Sequence, residues 1–435
     1  MGGIIVPEEA SPMLRTTTAL AALLLLGTIL SAQQGAPPAP QGGQAPAGGR
    51  VTDAATPPVG RGARGGRGRA VTITPGQECP AGMTLVRVGT CQPPDFPAPS
   101  IVDYRPKSSL VVEQHPVPKA KFPVIDIHSH VFPTPQSIGQ LVKEMDALNL
   151  RVLVINSASG QRLKDLLQVI KDSGYADRFR VMTSVDFNNV GPGWAMKAVA
   201  QLEADVQAGA VGIGEIGKQL GLTLRKADGT RLKIDDPDLK PVWDTMARLG
   251  LPVFIHTADP GEFFKPFDYR NERWLELSLF SDRRWFEQPI GFETLNAERD
   301  SLFKNNPKTR FIMAHFGWHA NDLGRLARLL DAYPNVVTEM GAVLYDVGRQ
   351  PRAAHDFFIK YQDRLLFGKD AYAADEFPYY WRVLETKDEY FDYYRDYHAY
   401  WKLYGIDLPD AVLKKVYFQN SLKTAPGLPQ TGWPR

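Results

Sequence analysis

The sequence contains little cysteine, no excess of charge of either sign and no apolar run long enough to cross a bilayer comfortably. Its 435 residues include two cysteines, and its 50 basic and 48 acidic side chains leave a net charge of +2. A balance this close to neutral provides no global field that attracts nucleic acid or an anionic membrane, so neither is an expected partner. The two cysteines lie apart from any histidine cluster, which argues against a zinc site of the CxxC type.

The N-terminal part of the chain has the composition of a targeting segment followed by a linker. A basic start near Met13 precedes an apolar run of about 12 residues that ends before Ala32, which predicts a secretory signal peptide over residues 1–32. Acidic residues before Met13 are out of place in a signal peptide, so the true start could be Met13 itself. Residues 33–75, rich in Gly, Pro and Arg, predict a disordered linker. We therefore expect an exported protein, periplasmic or secreted, with no membrane span after cleavage.

Cys79 and Cys91 lie in a small segment, residues 76–120, between the linker and the main domain. In an exported chain, a close pair of cysteines with Gly and Thr between them predicts one disulfide that closes a small hairpin. Two unbridged surface thiols are the alternative, which an oxidising compartment disfavours.

Short runs rich in Val, Ile and Phe alternate with segments of helical periodicity over residues 121–424. Eight such runs begin near residues 123, 151, 178, 210, 251, 310, 335 and 364. Several of the segments between them end in Gly or Asn, as helices do. This alternation predicts parallel βαβ units, and eight units over roughly 250 residues match a (β/α)8 TIM barrel. The predicted fold class is therefore α/β, a TIM barrel with a C-terminal helical extension.

Histidines and carboxylates occur where five of the eight predicted strands end. In "VIDIHSH" successive side chains alternate faces, so Asp126, His128 and His130 point the same way. The fourth, fifth, sixth and eighth strands end in Glu215, His256, His315 and Asp370. Barrel enzymes assemble their active sites at these strand ends. Imidazoles and carboxylates around an open position form the ligand set of a catalytic zinc or a similar divalent ion.

The chain resembles the amidohydrolase superfamily of metal-dependent hydrolases, specifically its aminocarboxymuconate-semialdehyde-decarboxylase-like branch. The motifs that carry the resemblance are "DIHSH", "GIGEIG", "FIHTAD", "MAHFG" and "LLFGKDA", in this order and spacing. The resemblance implies that the metal ligands are His128, His130, His256 and Asp370. It also implies that His315 polarises the scissile group, and that Asp370 passes a proton from metal-bound water to the leaving group.

The role of Glu215 stays open in this ligand set. Members with two metal ions place a carboxylated lysine or a glutamate on the fourth strand as a bridge, whereas many members with one ion have no ligand there. If Glu215 bridges, His256 and His315 hold the second ion. We expect one ion, zinc or alternatively manganese. Asp126 is either a partner of the ligating histidines or a structural hydrogen-bonding group lower in the barrel.

Two further motifs are weak. Gly212, Gly214 and Gly217 form a GxGxxG pattern, but the stretch that follows is broken by Gly and Thr and offers no helix N-terminus to a dinucleotide. His315 and His319 have the spacing of a helical zinc motif, but Gly317 interrupts any helix there. We interpret His319 as a loop residue, with a position near the site as the alternative.

The leading hypothesis is a metal-dependent hydrolase that uses metal-activated water on an amide, ester or lactone carbonyl of a small molecule. The alternative is a non-oxidative decarboxylase of an aromatic or unsaturated acid, in which Asp370 or His315 supplies a proton to carbon. A non-catalytic binding protein on the same barrel is a third hypothesis, against which the intact ligand set argues. The aromatic stretch of residues 377–405 could line a substrate pocket, form a homo-oligomer interface or pack as helices onto the barrel.

Overall fold

The computed structural model describes residues 69–95, 100–398 and 400–434. The predicted signal peptide and residues 33–68 of the predicted linker lie outside the described residues. The chain divides into two compact units, Met1–Pro97 and Ala98–Arg435. Among the helices of the described residues, none has the length and apolar character that a membrane span requires.

The first unit contains a small antiparallel sheet of three short strands, β1 Val71–Thr72, β2 Thr84–Arg87 and β3 Thr90–Gln92, in the order β1-β3-β2. A disulfide joins Cys79 to Cys91, and Cys91 is buried on β3. The strand β1 begins within the stretch whose composition predicts a linker. Its β-branched residues suit a strand, and Val71 and Thr72 pair with Cys91 and Thr90.

Within the described residues, the second unit contains eight parallel strands that form a closed barrel. They are β4 Val124–Ser129, β5 Leu150–Ile155, β6 Phe179–Val181, β7 Ile213–Ile216, β8 Val253–Ile255, β9 Phe311–Met313, β10 Val336–Glu339 and β11 Leu365–Leu366. Each strand pairs with its neighbour along the chain, in the sheets β4-β5-β6 and β7-β8-β9-β10-β11. Parallel bridges between Thr183 and Ile213 and between Ser129 and Asp370 join the two sheets at both seams. The predicted TIM barrel is confirmed, and all eight predicted runs form strands.

Helices follow the strands and cover the outside of the barrel. Those of the described residues before the last strand are α1 Ile138–Leu148, α2 Gly160–Asp172, α3 Trp194–Ala208, α4 Gln219–Leu222, α5 Lys240–Leu249, α6 Trp274–Leu279, α7 Phe292–Asn305, α8 Leu323–Ala332, α9 Leu344–Val347 and α10 Pro351–Lys360. Among the segments with helical apolar spacing between the strand runs, five form the helices α1, α2, α3, α5 and α8. In α5, Pro241 lies in the first turn and Gly250 ends the helix with a φ of 68°.

The barrel strands are buried on both faces, because helices cover one face and the other faces the interior. All six residues of β4 are buried. Ile125 and Ile127 belong to the apolar core, whereas Asp126 and His128, on the opposite face, are buried polar residues of the interior. A buried polar side chain on such a strand is costly unless it has partners. The polar face of β4 therefore requires a site that satisfies it.

The C-terminal extension is helical only at its two ends. It contains α11 Phe377–Glu385, α12 Asp410–Lys414 and α13 Asn420–Thr424, with a π-helical turn Lys415–Gln419 between the last two. The described residues of the segment 386–409, here called the C-terminal strap, are 386–398 and 400–409, and they are irregular with one antiparallel bridge between Phe391 and Leu403. Tyr390 and Asp407 have φ values of 57° and 48°, which a right-handed helix does not allow. The predicted helical extension is thus only partly helical.

The C-terminal strap contacts three of the loops that follow barrel strands. An Nη of Arg395 lies 3.0 Å from Glu376, beyond β11. The Nε2 of His398 lies 3.2 Å from Glu276, on the helix after β8. The indole of Trp401 donates to the carbonyl of Tyr345, beyond β10, at 2.9 Å. The strap therefore ties together loops at the C-terminal end of the barrel.

Candidate metal centre

The structure brings the predicted site residues together at the C-terminal end of the barrel. Two groups have ligand atoms that lie within 4.8 Å of one another, His128–Glu215–His315 and His128–His130–Asp370. His128 belongs to both groups. The predicted ligand His256 lies outside both groups, although its Nδ1 is 2.9 Å from Glu215 Oε1.

The carboxylate of Glu215 lies among four imidazoles. Its Oε1 is 3.4 Å from His128 Nε2 and 3.7 Å from His315 Nε2, and its Oε2 is 3.2 Å from His130 Nε2. Burial alone would raise the pKa of Glu215, but the charges of His128 and His256 hold it well below its ordinary value. Oε1 is buried and accepts no hydrogen bond of good geometry among the described residues, although His256 Nδ1 lies 2.9 Å away. A cation at this point would satisfy it.

His256 provides a second orphaned atom at the same place. Burial would lower the pKa of His256, but Glu215 and then Asp259 raise it to about 9. Its Nε2 is buried and lacks a hydrogen-bond partner within the described part of the chain. The carboxylates thus favour positive charge at the centre of the site, which is the condition that metal binding requires. Imidazole nitrogen and carboxylate oxygen are donors that zinc and manganese accept, so the residues fit a divalent ion.

His130 and Asp370 form the accessible side of the centre. Their side chains are 29% and 33% exposed, whereas that of His128 is 0% exposed. Asp370 Oδ1 lies 3.4 Å from His130 Nε2 and 3.7 Å from His128 Nε2. The backbone of Asp370 is left-handed, with a φ of 80°, and its N–H donates to the carbonyl of His128 at 2.8 Å. The side of the centre formed by His130 and Asp370 is therefore open to solvent.

Glu339, at the end of β10, is a buried carboxylate of the centre that the sequence analysis missed. Its carboxylate is completely buried, and its Oε1 lies 3.1 Å from His128 Nδ1 and accepts the His315 backbone N–H at 2.7 Å. Burial would raise the pKa of Glu339, but the charge of His128 lowers it. Because the ionised carboxylate accepts the Nδ1–H of His128, it orients the ring with Nε2 toward the centre, where Nε2 offers a lone pair once the ring is neutral. The only sequence signal was a glutamate that ends an otherwise apolar run.

His315 lies in a turn of four left-handed residues. The φ values of His315, Phe316, Gly317 and Trp318 are 55°, 52°, 60° and 59°. Left-handed backbone costs a residue with a side chain roughly 1–2 kcal/mol, so the surroundings must hold this turn in place. The Nδ1–H of His315 donates to the carbonyl of Gly341 at 2.8 Å, and the ring stacks on the Trp318 indole with centroids 4.5 Å apart. Burial lowers the pKa of His315, so the ring is neutral and its Nε2 is an acceptor.

Asp126 and His319 have structural contacts. The Oδ1 of Asp126 accepts the backbone N–H groups of His128 and Lys369, both at 3.1 Å, and so ties β4 to the end of β11. Burial raises the pKa of Asp126 to about 7. These bonds match the interpretation of Asp126 as a structural group. The buried His319 lies 3.4 Å from the Arg299 guanidinium, and burial lowers its pKa to about 2. His319 is thus a buried loop residue.

The GxGxxG pattern belongs to the barrel wall. A Cβ at Gly214 would come within 2.8 Å of Asn156, Met182 and Phe254, so this glycine permits close packing of strands. The helix that follows, α4, has four residues, and Leu220 and Gly221 within it are not helical. No long helix therefore directs its N-terminus at this pattern in the described chain, in agreement with the sequence analysis.

Comparison with known proteins gives one matching family and several solved structures with low sequence identity. A family model described as amidohydrolase matches residues 125–424. No curated protein matches the chain. One similar solved structure, an uncharacterized TIM-barrel protein from Bordetella bronchiseptica, is 15% identical with a TM-score of 0.46, over 71% of this chain and 99% of its own.

Two other similar structures are decarboxylases. A 2,6-dihydroxybenzoate decarboxylase, complexed with 2,6-dihydroxybenzoate, is 15% identical with a TM-score of 0.45, over 70% of this chain and 99% of its own. A dihydroxybenzoic acid decarboxylase from a Polaromonas species, with bound manganese and an inhibitor, is 14% identical with a TM-score of 0.45, over 71% of this chain and 99% of its own.

Proposed function

The chain belongs to the amidohydrolase family, and from this premise we propose that it is a metal-dependent hydrolase of a small-molecule amide, ester or lactone. The observation that carries the proposal is the cluster of imidazole and carboxylate ligand atoms within 4.8 Å of one another, beside the accessible carboxylate of Asp370. A buried cluster of such donors fits a divalent cation. An accessible carboxylate next to the cation site suits proton transfer from water.

The residues proposed to hold the ion are His128, His130, His256 and Asp370, with Glu215 as the further ligand if two ions bind. A bound zinc or manganese ion lowers the pKa of a coordinated water to roughly 7, which makes a nucleophile available at neutral pH. Glu339 holds the ring of His128 through Nδ1, so that Nε2 keeps its direction toward the ion.

The protein side chains carry the protons in this proposal. Asp370 accepts a proton from the attacking water and delivers it to the leaving group. His315 cannot donate to the scissile oxygen in its neutral form, because its Nδ1–H is used by Gly341 and its Nε2 carries a lone pair. We therefore assign to His315 Nε2 the role of a proton acceptor, and His315 polarises the substrate only after Nε2 is protonated; if two ions bind, Nε2 would be a ligand instead.

Decarboxylation is the second candidate, and the Trp318 indole favours it. The indole stacks on His315 and so makes one wall of the centre aromatic. A wall of this kind offers no hydrogen bond to a substrate carboxylate, and this destabilises the carboxylate relative to a transition state with dispersed charge. In this reaction Asp370 or His315 first takes a proton from water and then gives it to the carbon that loses carbon dioxide.

The first test is the metal content of the purified protein by elemental analysis, in the wild type and in Glu215→Gln. Glu385→Gln, a partly buried carboxylate that contacts Tyr417 away from the centre, is the matched control. One equivalent in all three proteins supports a single-ion site. Two equivalents that fall toward one in Glu215→Gln alone make Glu215 a bridge. No metal after reconstitution with zinc or manganese would overturn the proposal.

The second test separates the two reactions. The metal-loaded protein is incubated with panels of lactones, amides, esters and aromatic acids, while acid release is followed by titration and carbon dioxide by mass spectrometry. Acid release without carbon dioxide, abolished in Asp370→Asn, supports hydrolysis. Carbon dioxide release by the wild type that is absent in Asp370→Asn rejects hydrolysis in favour of decarboxylation.

We further propose that the protein works outside the cytoplasm. The signal-peptide pattern and the disulfide between Cys79 and Cys91 support export, because such bonds persist in oxidising compartments. N-terminal sequencing of the protein recovered from its native cells tests this. A mature chain that begins just after Ala32 supports export, and an uncleaved chain that starts at Met1 or Met13 in the cytosol contradicts it.

A further inference from the structure

Lys218 places an ammonium beside the metal centre. It lies three residues after Glu215, in the loop that leaves β7. Its Nζ donates to Asp259 Oδ2 at 2.7 Å, and Asp259 itself lies three residues after His256. The other carboxylate oxygen, Oδ1, is 3.8 Å from His256 Nε2. One carboxylate therefore separates the ammonium from an imidazole of the centre.

The two members of this ion pair differ in exposure. The side chain of Lys218 is 29% exposed, whereas that of Asp259 is 6% exposed. The Trp285 indole N–H also donates to Asp259 Oδ2, at 2.6 Å, and the Lys218 Nζ lies 5.6 Å from the centroid of the Trp285 ring. The carboxylate is thus enclosed, and the ammonium is the accessible end of the pair.

The enclosed carboxylate fixes the ammonium in position without using all its donors. The Lys218 Nζ and the Asp259 Oδ2, 2.7 Å apart, form an ion pair. An ammonium carries three N–H donors, and Asp259 is the acceptor found for it within the described residues. Since such a pair contributes little net stability, an apolar pair would serve packing equally well. A fixed, accessible cation instead suits the binding of an anion.

Trp318 provides a flat surface that packs against the segment containing Asp259. The centroid of its ring lies 5.6 Å from that of His256, and its N–H donates to the carbonyl of Ala258 at 3.2 Å. Ala258 directly precedes Asp259, so one short segment, residues 256–259, positions both the indole and the ammonium. The indole is partly exposed. Residues 256–259 thus link an accessible cation, through Asp259, and an aromatic surface, through Ala258 and His256.

We propose that Lys218 and Trp318 form a subsite for a substrate with a carboxylate on a planar body. This carboxylate binds Lys218 and is not the reacting group, which lies at the metal centre. The inference rests on the proposed function and names the substrate class of the same site. It predicts that substrates carry a second anionic group away from the bond that breaks.

The experiment compares the binding of isophthalate and benzoate by calorimetry. Isophthalate has two carboxylates on one ring, and benzoate has one. The metal-loaded wild type is compared with Lys218→Met and Lys218→Arg, with Lys265→Met, an exposed lysine of the loop after β8, as the matched control. We expect wild-type protein to bind isophthalate about tenfold more tightly than benzoate, as one charge-assisted hydrogen bond allows. In Lys218→Met we expect the affinity for isophthalate to fall to that for benzoate, while the affinity for benzoate stays unchanged. Lys218→Arg should keep part of the difference between the two acids.

Two results would overturn the subsite. Equal wild-type affinity for the two acids, or an equal loss of both in Lys218→Met, removes the role of Lys218. If Lys218→Met does not fold, as judged by circular dichroism, Lys218→Gln and Lys218→Arg carry the same comparison. Trp318→Phe keeps an aromatic face and should keep both affinities within about twofold, whereas Trp318→Ala should weaken both acids. Unchanged affinities in Trp318→Ala contradict the role of the indole.

Failure of the proposed function gives a different outcome. If neither acid release nor carbon dioxide release is found, but isophthalate still binds more tightly than benzoate through Lys218, the subsite stands and the reaction has to be sought elsewhere. If hydrolysis is found and the preference for isophthalate is absent, the function stands and the subsite is rejected.

Discussion

At the scale of single residues, the buried carboxylate of Glu339 organises the centre without facing solvent. It orients the ring of His128 through Nδ1 and holds the backbone of His315, while its Oε2 accepts the N–H of Gly341 at 2.5 Å. Gly341 in turn accepts the Nδ1–H of His315. One carboxylate and one backbone turn thus determine which nitrogen of each ring faces the ion.

Replacing Glu339 with glutamine should weaken metal binding with little change in shape. The neutral amide is a poorer acceptor for the Nδ1–H of His128 and its NH2 group conflicts with the backbone donors. We expect the metal dissociation constant to rise about 10- to 100-fold, as for other groups that orient metal-ligating histidines. Competition with a chromogenic chelator measures this constant, with Glu385→Gln as the control. Equal constants in the wild type and Glu339→Gln would contradict the role.

A methyl group at Gly368 should disrupt the same contacts. A Cβ there would overlap the carboxylate of Glu339 and lie 2.9 Å from the Cβ of His128. We expect Gly368→Ala to lose about 1–3 kcal/mol of unfolding free energy through overpacking, together with metal affinity. Urea unfolding and elemental analysis measure both. Gly324→Ala is the control, since the nearest atom to its Cβ would be 3.4 Å away; a Gly368→Ala protein as stable as this control would refute the argument.

At the scale of elements, the C-terminal strap depends on a histidine buried in the neutral form. His398 contacts Glu276 and accepts an Arg273 guanidinium bond at its carbonyl, 3.3 Å away. Burial lowers the pKa of His398 to about 4. An unfolded chain protonates this ring near pH 6.5, so the stability that neutral His398 contributes is present above that pH and is lost as the pH falls toward 4.

The pH dependence of unfolding should reveal this contribution. Between pH 7 and pH 5 the His398 contribution to the unfolding free energy should fall by about 2 kcal/mol, and His398→Gln should lose that much less over the same interval. Urea unfolding curves at the two pH values provide the comparison. His355→Gln, on α10, is the control and should follow the wild type. The same loss in His398→Gln as in the wild type would show that the ring does not titrate on unfolding.

At the scale of the whole molecule, the proposed ligands come from both sheets of the barrel, on β4 and beyond β7, β8 and β11. A bound ion should therefore stabilise the entire barrel and not one loop. Metal at 100 times its dissociation constant should raise the unfolding free energy by about 2.7 kcal/mol, and a chelator should remove the increase. Thermal unfolding with and without zinc or manganese measures it. Asp370→Asn should retain only a small part of this response, and a full response in that variant would mean that Asp370 is not a ligand.

The barrel could be predicted from the sequence because its strands are apolar runs. The few polar residues in these runs lie at the C-terminal end of the barrel and face its interior. The period-two alternation in β4 already aligned Asp126, His128 and His130. Glu339 could not be recognised, since a glutamate that ends a strand is ordinary unless its burial is known. The contact of Lys218 with Asp259 and Trp285 joins three distant segments, and no periodicity indicates it. The strap was predicted as part of the helical extension. A high density of aromatic residues does not distinguish a helix from an irregular segment, so the sequence could not reveal its true conformation.

The seam between β4 and β11 has a consequence for biosynthesis. His128 and His130 leave the ribosome about 240 residues before Asp370, and the bridge between Ser129 and Asp370 joins the first barrel strand to the last. A chain released early, or cut before its final strand, has the imidazoles without the closing carboxylate and with an open sheet edge. If Asp370 is a ligand as proposed, metal affinity therefore reports on completeness, and a chain that lacks the final strand should bind the ion more weakly than the closed barrel.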